Sequence, residues 1–266
     1  MSTPFPSEGI SPMAVVHPDA KVGEGVTISP FSTIAADVEI GPGTWIGPNV
    51  TVLDGARIGA HCRIFPGAVI AGMPQDLKYA GENTTAVIGD HTTIRECCTI
   101  NRGTTDRMTT RVGSHCLLMA YTHIAHDAVV GDHCVLANCA SIAGHVTIED
   151  WVIIEGVVAV QQFVRIGQHA FVAGGSLVRK NIPPFVKVAR EPLSYIGVNA
   201  IGLRRRGFPD EFVRAVEDIY RTLYVTGGNM SKALKVAEIE LPVSDAKGTI
   251  LDFIRASDKG IVRGPF

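Results

Sequence analysis

The segment THIAHD, residues 122–127, places His123, His126 and Asp127 within one short stretch. Imidazole titrates near neutrality, so a histidine here could take a proton from a hydroxyl at physiological pH. Asp127 could hold that ring in one tautomer and stabilise its cation. The same residues could instead form half of a metal site, because imidazole is a common zinc ligand. Adjacent residues on a straight strand point to opposite sides, so a His126–Asp127 pair requires a bend. The scaffold decides between these chemistries.

That scaffold is written in a repeat. From Val16, steps of six residues meet Val22, Ile28, Ile34, Ile40, Ile46, Val52, Ile58, Ile64 and Ile70. The run breaks at Asp76 and Glu82, resumes in phase at Ile88, Ile94 and Ile100, and misses at Asp106. It then continues unbroken from Val112 to Val178. Four residues after each aliphatic stands a small or β-branched residue, as at Ala20, Val26, Ser32, Cys62 and Ala128. A helix needs a period of about 3.6 and a simple strand a period of two, so a period of six fits neither. It is the signature of a parallel β-helix, in which each hexad forms one short flat wall with its aliphatic inside. Cys62, Cys98, Cys116 and Cys134 occupy the small inward slot, and Cys97 and Cys139 precede it. No CxxC pair is present, so all six cysteines read as structural.

Two segments leave the repeat and return in phase. Residues 71–87 read AGMPQDLKYAGENTTAV and residues 103–111 read GTTDRMTTR. Loops standing off a rigid scaffold are where sites tend to be built. After Val178 the hexads end, and NIPPF at 181–185 marks a linker. Over 209–226, Phe212, Val213, Val216, Ile219, Tyr220, Leu223 and Tyr224 share one helical face, with Asp210 and Glu211 in the first turn and Gly227-Gly228 as the stop. Two further helices are expected over 231–240 and 244–257, the second capped by Ser244. The predicted fold is therefore mainly β. A hexapeptide-repeat β-helix covers residues 1–190, with loops at 71–87 and 103–111, and a small α-helical domain covers 191–266. That domain would cap the open solenoid end or pack on a neighbouring subunit.

Composition narrows the function. A chain of 266 residues with 46% hydrophobic and 19% charged residues is globular. Its net charge of −2 gives no reason to expect nucleic acid as a partner. No secretory leader is visible and no apolar run is long enough to span a membrane, because Glu155 interrupts the longest, Val152 to Val160. The expectation is a cytoplasmic protein with reduced thiols.

Of the nine histidines, His61, His91, His115, His133, His145 and His169 fall three residues after an aliphatic and read as solvated turn residues. His17, on the first coil, reads as structural. His123 and His126 break the rule, lying five and two residues after theirs.

The motifs QDLKYAGE at 75–82, IRECCTINRGT at 94–104, HIAHD at 123–127, AGHV at 143–146 and GLRRRGF at 202–208 together resemble the UDP-N-acetylglucosamine O-acyltransferases, over essentially the whole chain. The resemblance implies a left-handed parallel β-helix and a homotrimer with active sites between subunits. It implies transfer of a 3-hydroxyacyl chain from acyl carrier protein to the 3-hydroxyl of UDP-N-acetylglucosamine, the first step of lipid A synthesis, without metal or dissociable cofactor. By the same resemblance His126 is the general base, Asp127 its orienting partner, and Gly144 the donor of an oxyanion N–H. Gln75, Asp76, Lys78, His123 and His145 match residues near sugar and acyl donor. Asn199, Arg205 and Arg206 match the nucleotide and phosphate region, and Gly174 matches a position that helps set acyl length. Asn101 and Gln161 stand where many members carry His, and Ile201 where some carry Glu. Both amides hydrogen-bond but do not ionise near neutrality, so a 3-amino sugar analogue, giving an amide product, is an alternative acceptor.

With three hexads per coil, as the resemblance implies, residues 18 apart stack. His126, Gly144, His145 and Gln161 then share one face, with Gly144 and His145 one coil from His126, which takes His145 out of the solvated-turn reading; Gln162, next to Gln161, is a further substrate-binding candidate. Ile100 and Leu118 are expected to stack, bringing Asn101 near His123. Asn138, Gly156 and Gly174 form a column whose glycines would leave a shallow groove. One rival is a trimeric zinc hydratase with His123, His126 and His145 as ligands across a subunit boundary; another is a non-catalytic solenoid that binds a partner.

Overall fold

The structure, a computed structural model, describes residues 9–226 and 229–264. Gly227 and Gly228, the expected helix stop, lie outside the described residues. The solenoid is a left-handed parallel β-helix, and its coils build three flat parallel sheets. Among the described residues face A has nine strands and begins at Val15–Val16, face B has eight and begins at Lys21–Val22, and face C has ten and begins at Thr27–Ile28. The chain visits A, B and C in turn, so each coil has an A–B, a B–C and a C–A corner.

The hexad aliphatics explain this shape. Ile28, Ile46, Ile64, Ile94, Leu118, Leu136 and Ile154 stack inside face C, all fully buried, and the other faces repeat the pattern. Burying each such side chain is worth roughly 1.5–3 kcal/mol. The small slot four residues on lets the wall turn inward. Cys62, Ala128, Cys134 and Ala140 fill it at 0% exposure. Where a hydroxyl stands there it is satisfied: Thr44 Oγ1 donates to the Gly59 carbonyl and accepts from the Cys62 N–H. Burial pushes the Cys62 and Cys98 thiols up to about 11, and all six cysteines are free. The phase also reaches one hexad earlier than Val16, because Ile10 bridges to Ile28.

Both insertions leave the solenoid at the A–B corner, in successive coils. The first falls between strands Val69–Gly72 and Thr85–Ile88, the second between Thr99–Asn101 and Thr109–Val112. They lengthen the spacing between stacked residues. Ile58 pairs with Ile88 and Ile88 with Val112. The expected Ile100–Leu118 stack is therefore not formed: Ile100 pairs with Ile124, and Leu118 with Ile94. The second insertion adds one hexad to that coil, which moves every partner across it from 18 to 24 residues away.

NIPPF is not a linker. Asn181, Ile182 and Phe185 are buried and Ile182 bridges to Ile166, so the segment is a last partial coil. Face C continues through Val186–Ala189 and closes with the antiparallel strand Ser194–Val198, which ends the stack of parallel edges. Then follow helices α1 (Ala200–Arg205), α2 (Asp210–Arg221), α3 (Met230–Glu240) and α4 (Asp245–Arg255). The short helix α1 was not anticipated. Helix α2 passes into a wider π-helical turn, Thr222–Thr226. Its apolar stripe faces inward as expected, and Tyr220 Oη donates to the Pro184 carbonyl at 2.6 Å, docking it on the solenoid end. Ser244 caps α4 by accepting from the Lys247 N–H.

The turn histidines are not independent solvated residues. At the B–C corner His61, His91, His115 and His133 stack with centroids about 5 Å apart, and Trp151, His169 and Phe185 extend the column. At this corner the third residue after each aliphatic from Ile58 to Ile166 adopts positive φ, which aims equivalent side chains of successive coils along one line. His169 is buried. His145 belongs to the A–B corner instead.

Candidate active site

The A–B corner carries, coil by coil, the first loop, the second loop, His126 with Asp127, Gly144 with His145, and Gln162 with Phe163. The bend that a His126–Asp127 pair requires is present: Asp127 has φ 59°. Its carboxylate Oδ2 lies 2.9 Å from His126 Nδ1. His126 is 3% exposed and Asp127 fully buried.

A buried carboxylate needs donors, and the second loop supplies them. Thr104 donates its N–H to Oδ1 at 3.0 Å and its hydroxyl to Oδ2 at 2.6 Å. Arg107 donates its backbone N–H to Oδ1 and its guanidinium to the Asp127 carbonyl. Burial raises the Asp127 pKa, but the hydrogen bonds from Thr104, His126 and Arg107 outweigh it and hold the group below the ordinary carboxylate range. An anionic Asp127 makes Nδ1 of His126 the N–H side and leaves the Nε2 lone pair free to accept a proton. Asp76 Oδ2, from the first loop, stands 3.8 Å from that Nε2.

Gly144 lies against the His126 ring. A Cβ there would sit 2.6 Å from Cε1 and 2.7 Å from Nε2, so only glycine leaves the ring in place. His145 meets His126 edge-on at 5.1 Å and stacks on Phe163 at 4.5 Å. Its Nε2 is 3.9 Å from Asp127 Oδ2 and its Nδ1 3.0 Å from Asp106 Oδ2. Beside them opens a polar pocket of about 220 Å³ lined by Asp76, Lys78, Glu82, Thr104, Asp106 and Phe163 among others.

His123 and Asn101 border this centre. His123 Nδ1 pairs with Thr99 Oγ1 at 2.7 Å, and burial together with nearby His126 lowers its pKa. Asn101 is 5% exposed and donates to the Met73 carbonyl, so it pins the base of the first loop. Lys78 donates its N–H to Asp76. Gln75, Gln161 and Gln162 are exposed. Gln162, rather than Gln161, is in register with Gly144, because Val160 pairs with Ile142.

The remaining expected residues lie at the other two corners. Gly156 and Gly174 are stacked at the C–A corner, where a Cβ on Gly174 would come 3.3 Å from the Gly156 carbonyl; the Gly174 N–H is held by Glu155 Oε2 at 2.9 Å. Asn199, Arg205 and Arg206 lie by the B–C corner. Asn199 is 4% exposed, caps α1 and donates to the His169 carbonyl, so its side chain is structural within one chain. Arg206 lies over Trp151 and donates to His169 Nδ1 at 3.2 Å, while Arg205 is exposed.

His126, Asp127 and His145 bring ligand atoms close enough to share an ion. The Asp127 oxygens, however, already accept from Thr104, Arg107 and His126. That donor set suits a base and its orienting carboxylate better than a zinc site, and the expected ligand His123 lies outside the group. The sequence pattern overlooked Thr104, Asp106 and Arg107; their only signal was the loop's position between two in-phase hexads.

Comparison with known proteins identifies the family. The bacterial transferase hexapeptide (six repeats) family model matches residues 37–72 and 109–144, and the one described as Udp N-acetylglucosamine O-acyltransferase, Domain 2, matches residues 181–262. The chain is 49% identical over 257 residues to the acyl-[acyl-carrier-protein]–UDP-N-acetylglucosamine O-acyltransferase of Xanthomonas oryzae, covering 96% of this chain and 97% of that one. It is 46% identical to the Myxococcus xanthus protein of the same description, covering 96% and 99%. The crystal structure of the UDP-N-acetylglucosamine acyltransferase from Bacteroides fragilis superposes with a TM-score of 0.93 at 46% identity, covering 95% of this chain and 99% of that one.

Proposed function

The chain belongs to the UDP-N-acetylglucosamine O-acyltransferase family, and on that premise we propose that His126 is the general base of the transfer. The enzyme moves an acyl chain from acyl carrier protein to UDP-N-acetylglucosamine, the first step of lipid A synthesis. The carrying observation is the buried His126–Asp127 pair at 2.9 Å, with its ring against Gly144.

The sugar 3-hydroxyl gives its proton to His126 Nε2 as its oxygen attacks the thioester carbonyl carbon. Asp127, kept anionic by the second loop, stabilises the imidazolium. Negative charge develops on the carbonyl oxygen, and the Gly144 N–H is assigned as the donor that meets it. Collapse breaks the carbon–sulfur bond, and the leaving thiolate takes the proton from His126. Asp76, Lys78 and His145 line the pocket where sugar and donor meet, and the acyl chain, carrying its 3-hydroxyl, runs toward Gly156 and Gly174.

A homotrimer unites the three corners. Its active sites lie between neighbouring subunits, and the exposed guanidinium of Arg205 suits a diphosphate. Two soluble substrates fit a cytoplasmic enzyme. The test is His126→Ala. The variant should keep the wild-type sedimentation and melting behaviour and lose at least about a hundredfold in turnover. Near-normal turnover would sink the assignment.

A further inference from the structure

The second loop serves both histidines of the site. Thr104 and Arg107 hold Asp127, and so His126. Asp106, between them in sequence, reaches the other way and sets Oδ2 3.0 Å from His145 Nδ1. It also lines the same pocket as Asp76 and Lys78.

The plane of the His145 ring is already fixed, by Phe163 stacked on one face at 8° and His126 edge-on at 85°. Neither contact decides which edge of the ring faces the loop, because a half-turn about the last torsion keeps the plane and exchanges nitrogen for carbon. A carboxylate beside Nδ1 breaks that degeneracy. The contact is near but misaligned: Nδ1 is buried and meets no acceptor with hydrogen-bond geometry, and Asp106 is 64% exposed. Catalytic hydrogen bonds are often poorly aligned before substrate binds and tighten in the complex.

We propose that Asp106 is a positioning residue for the acyl transfer, holding the Nδ1 edge of His145 when substrate fills the pocket. This rests on the reading that His145 lines the substrate pocket. Asp106 touches no reacting atom and acts only through that ring. Its contribution therefore belongs to the loaded complex and shows in kcat more than in KM.

A double-mutant cycle tests it, using the full-length enzyme with UDP-N-acetylglucosamine and a 3-hydroxyacyl carrier protein. Asp106→Ala should lower kcat about tenfold with KM for the sugar nucleotide within about twofold, and Asp106→Glu should recover most of the loss. In a His145→Ala background, Asp106→Ala should have no further effect beyond about twofold. An equal loss in both backgrounds would overturn the proposal, because the aspartate would then act through Asp127 or the loop. So would a loss below about twofold in the wild-type background. Should Asp106→Ala lower the melting temperature, Asp106→Leu, of similar size but without an acceptor, takes its place in the cycle with the same expectations. If His145→Ala alone leaves kcat and KM unchanged, the reading of His145 itself fails, a result distinct from additivity.

Discussion

Two corners of one solenoid carry histidines, and they treat them differently. At the B–C corner His61, His91, His115 and His133 stack on one another, ring to ring, with no carboxylate within ion-pair distance among the described residues. At the A–B corner His126 and His145 each meet an aspartate, at 2.9 and 3.0 Å. The backbone is nearly the same at both: His61, His115 and His133 have φ between 55° and 57°, Asp127 and His145 have 59° and 62°. The two insertions make the difference. They leave the A–B corner in successive coils and fold back with donors and acids, whereas the B–C corner turns without insertion, and from His61 to His133 its rings pack on one another.

If that contrast is sound, disturbing the A–B corner should cost activity and disturbing the B–C corner should cost little. Gly144→Ala is the harshest probe after His126→Ala. Its Cβ would intrude at 2.6 Å on the His126 ring, and a displacement of about 1 Å in a catalytic group can cost about a hundredfold in rate. Steady-state assays should show that loss in a protein that still melts cooperatively. Thr104→Val removes the hydroxyl donor at 2.6 Å from Asp127. A hydrogen bond to a charged group is worth roughly 1.5–3 kcal/mol, so turnover should fall about tenfold or more. Wild-type turnover in Thr104→Val would mean that the loop does not set the state of Asp127.

The B–C corner should report on stability instead. Burial, reinforced by the Arg206 charge, pushes the His169 pKa from 6.5 down to about 4. Between those values the unfolded chain binds a proton that the folded chain refuses, so stability falls as pH drops through that window and is regained above it. His169→Gln should flatten this dependence, measured as urea midpoints from pH 4 to 7. An unchanged slope would place the proton elsewhere. The smallest effect is expected for His115→Ala, in mid-column. It should alter turnover by less than about twofold and stability by about 1 kcal/mol, the scale of a lost ring contact. A large activity loss there would erase the distinction between the corners.

The repeat made most of the solenoid legible. Ile28 and Ile142 could be placed in the core from period alone, and the in-phase returns at Ile88 and Val112 exposed both insertions. His126 was legible because it left the turn slot. Asp106 and Thr104 were not, because nothing in GTTDRMTT says which side chains fold back on the coil below. The expected Ile100–Leu118 stack failed for a related reason: a repeat fixes phase, but the partner also depends on how many hexads an insertion contributes. NIPPF was misread because a buried partial coil looks like any proline-rich surface segment.

By itself, then, the sequence determined the period, and with it the coils, the buried aliphatic columns and the positions where chain could be inserted. Those follow from local rules, since each hexad must put one aliphatic inside and one small residue at the bend. Only the tertiary structure decided the chemistry of THIAHD. The ionisation of Asp127, the free face of His126 and the fit against Gly144 depend on groups 17 to 23 residues away. Such groups meet only after the coils have stacked.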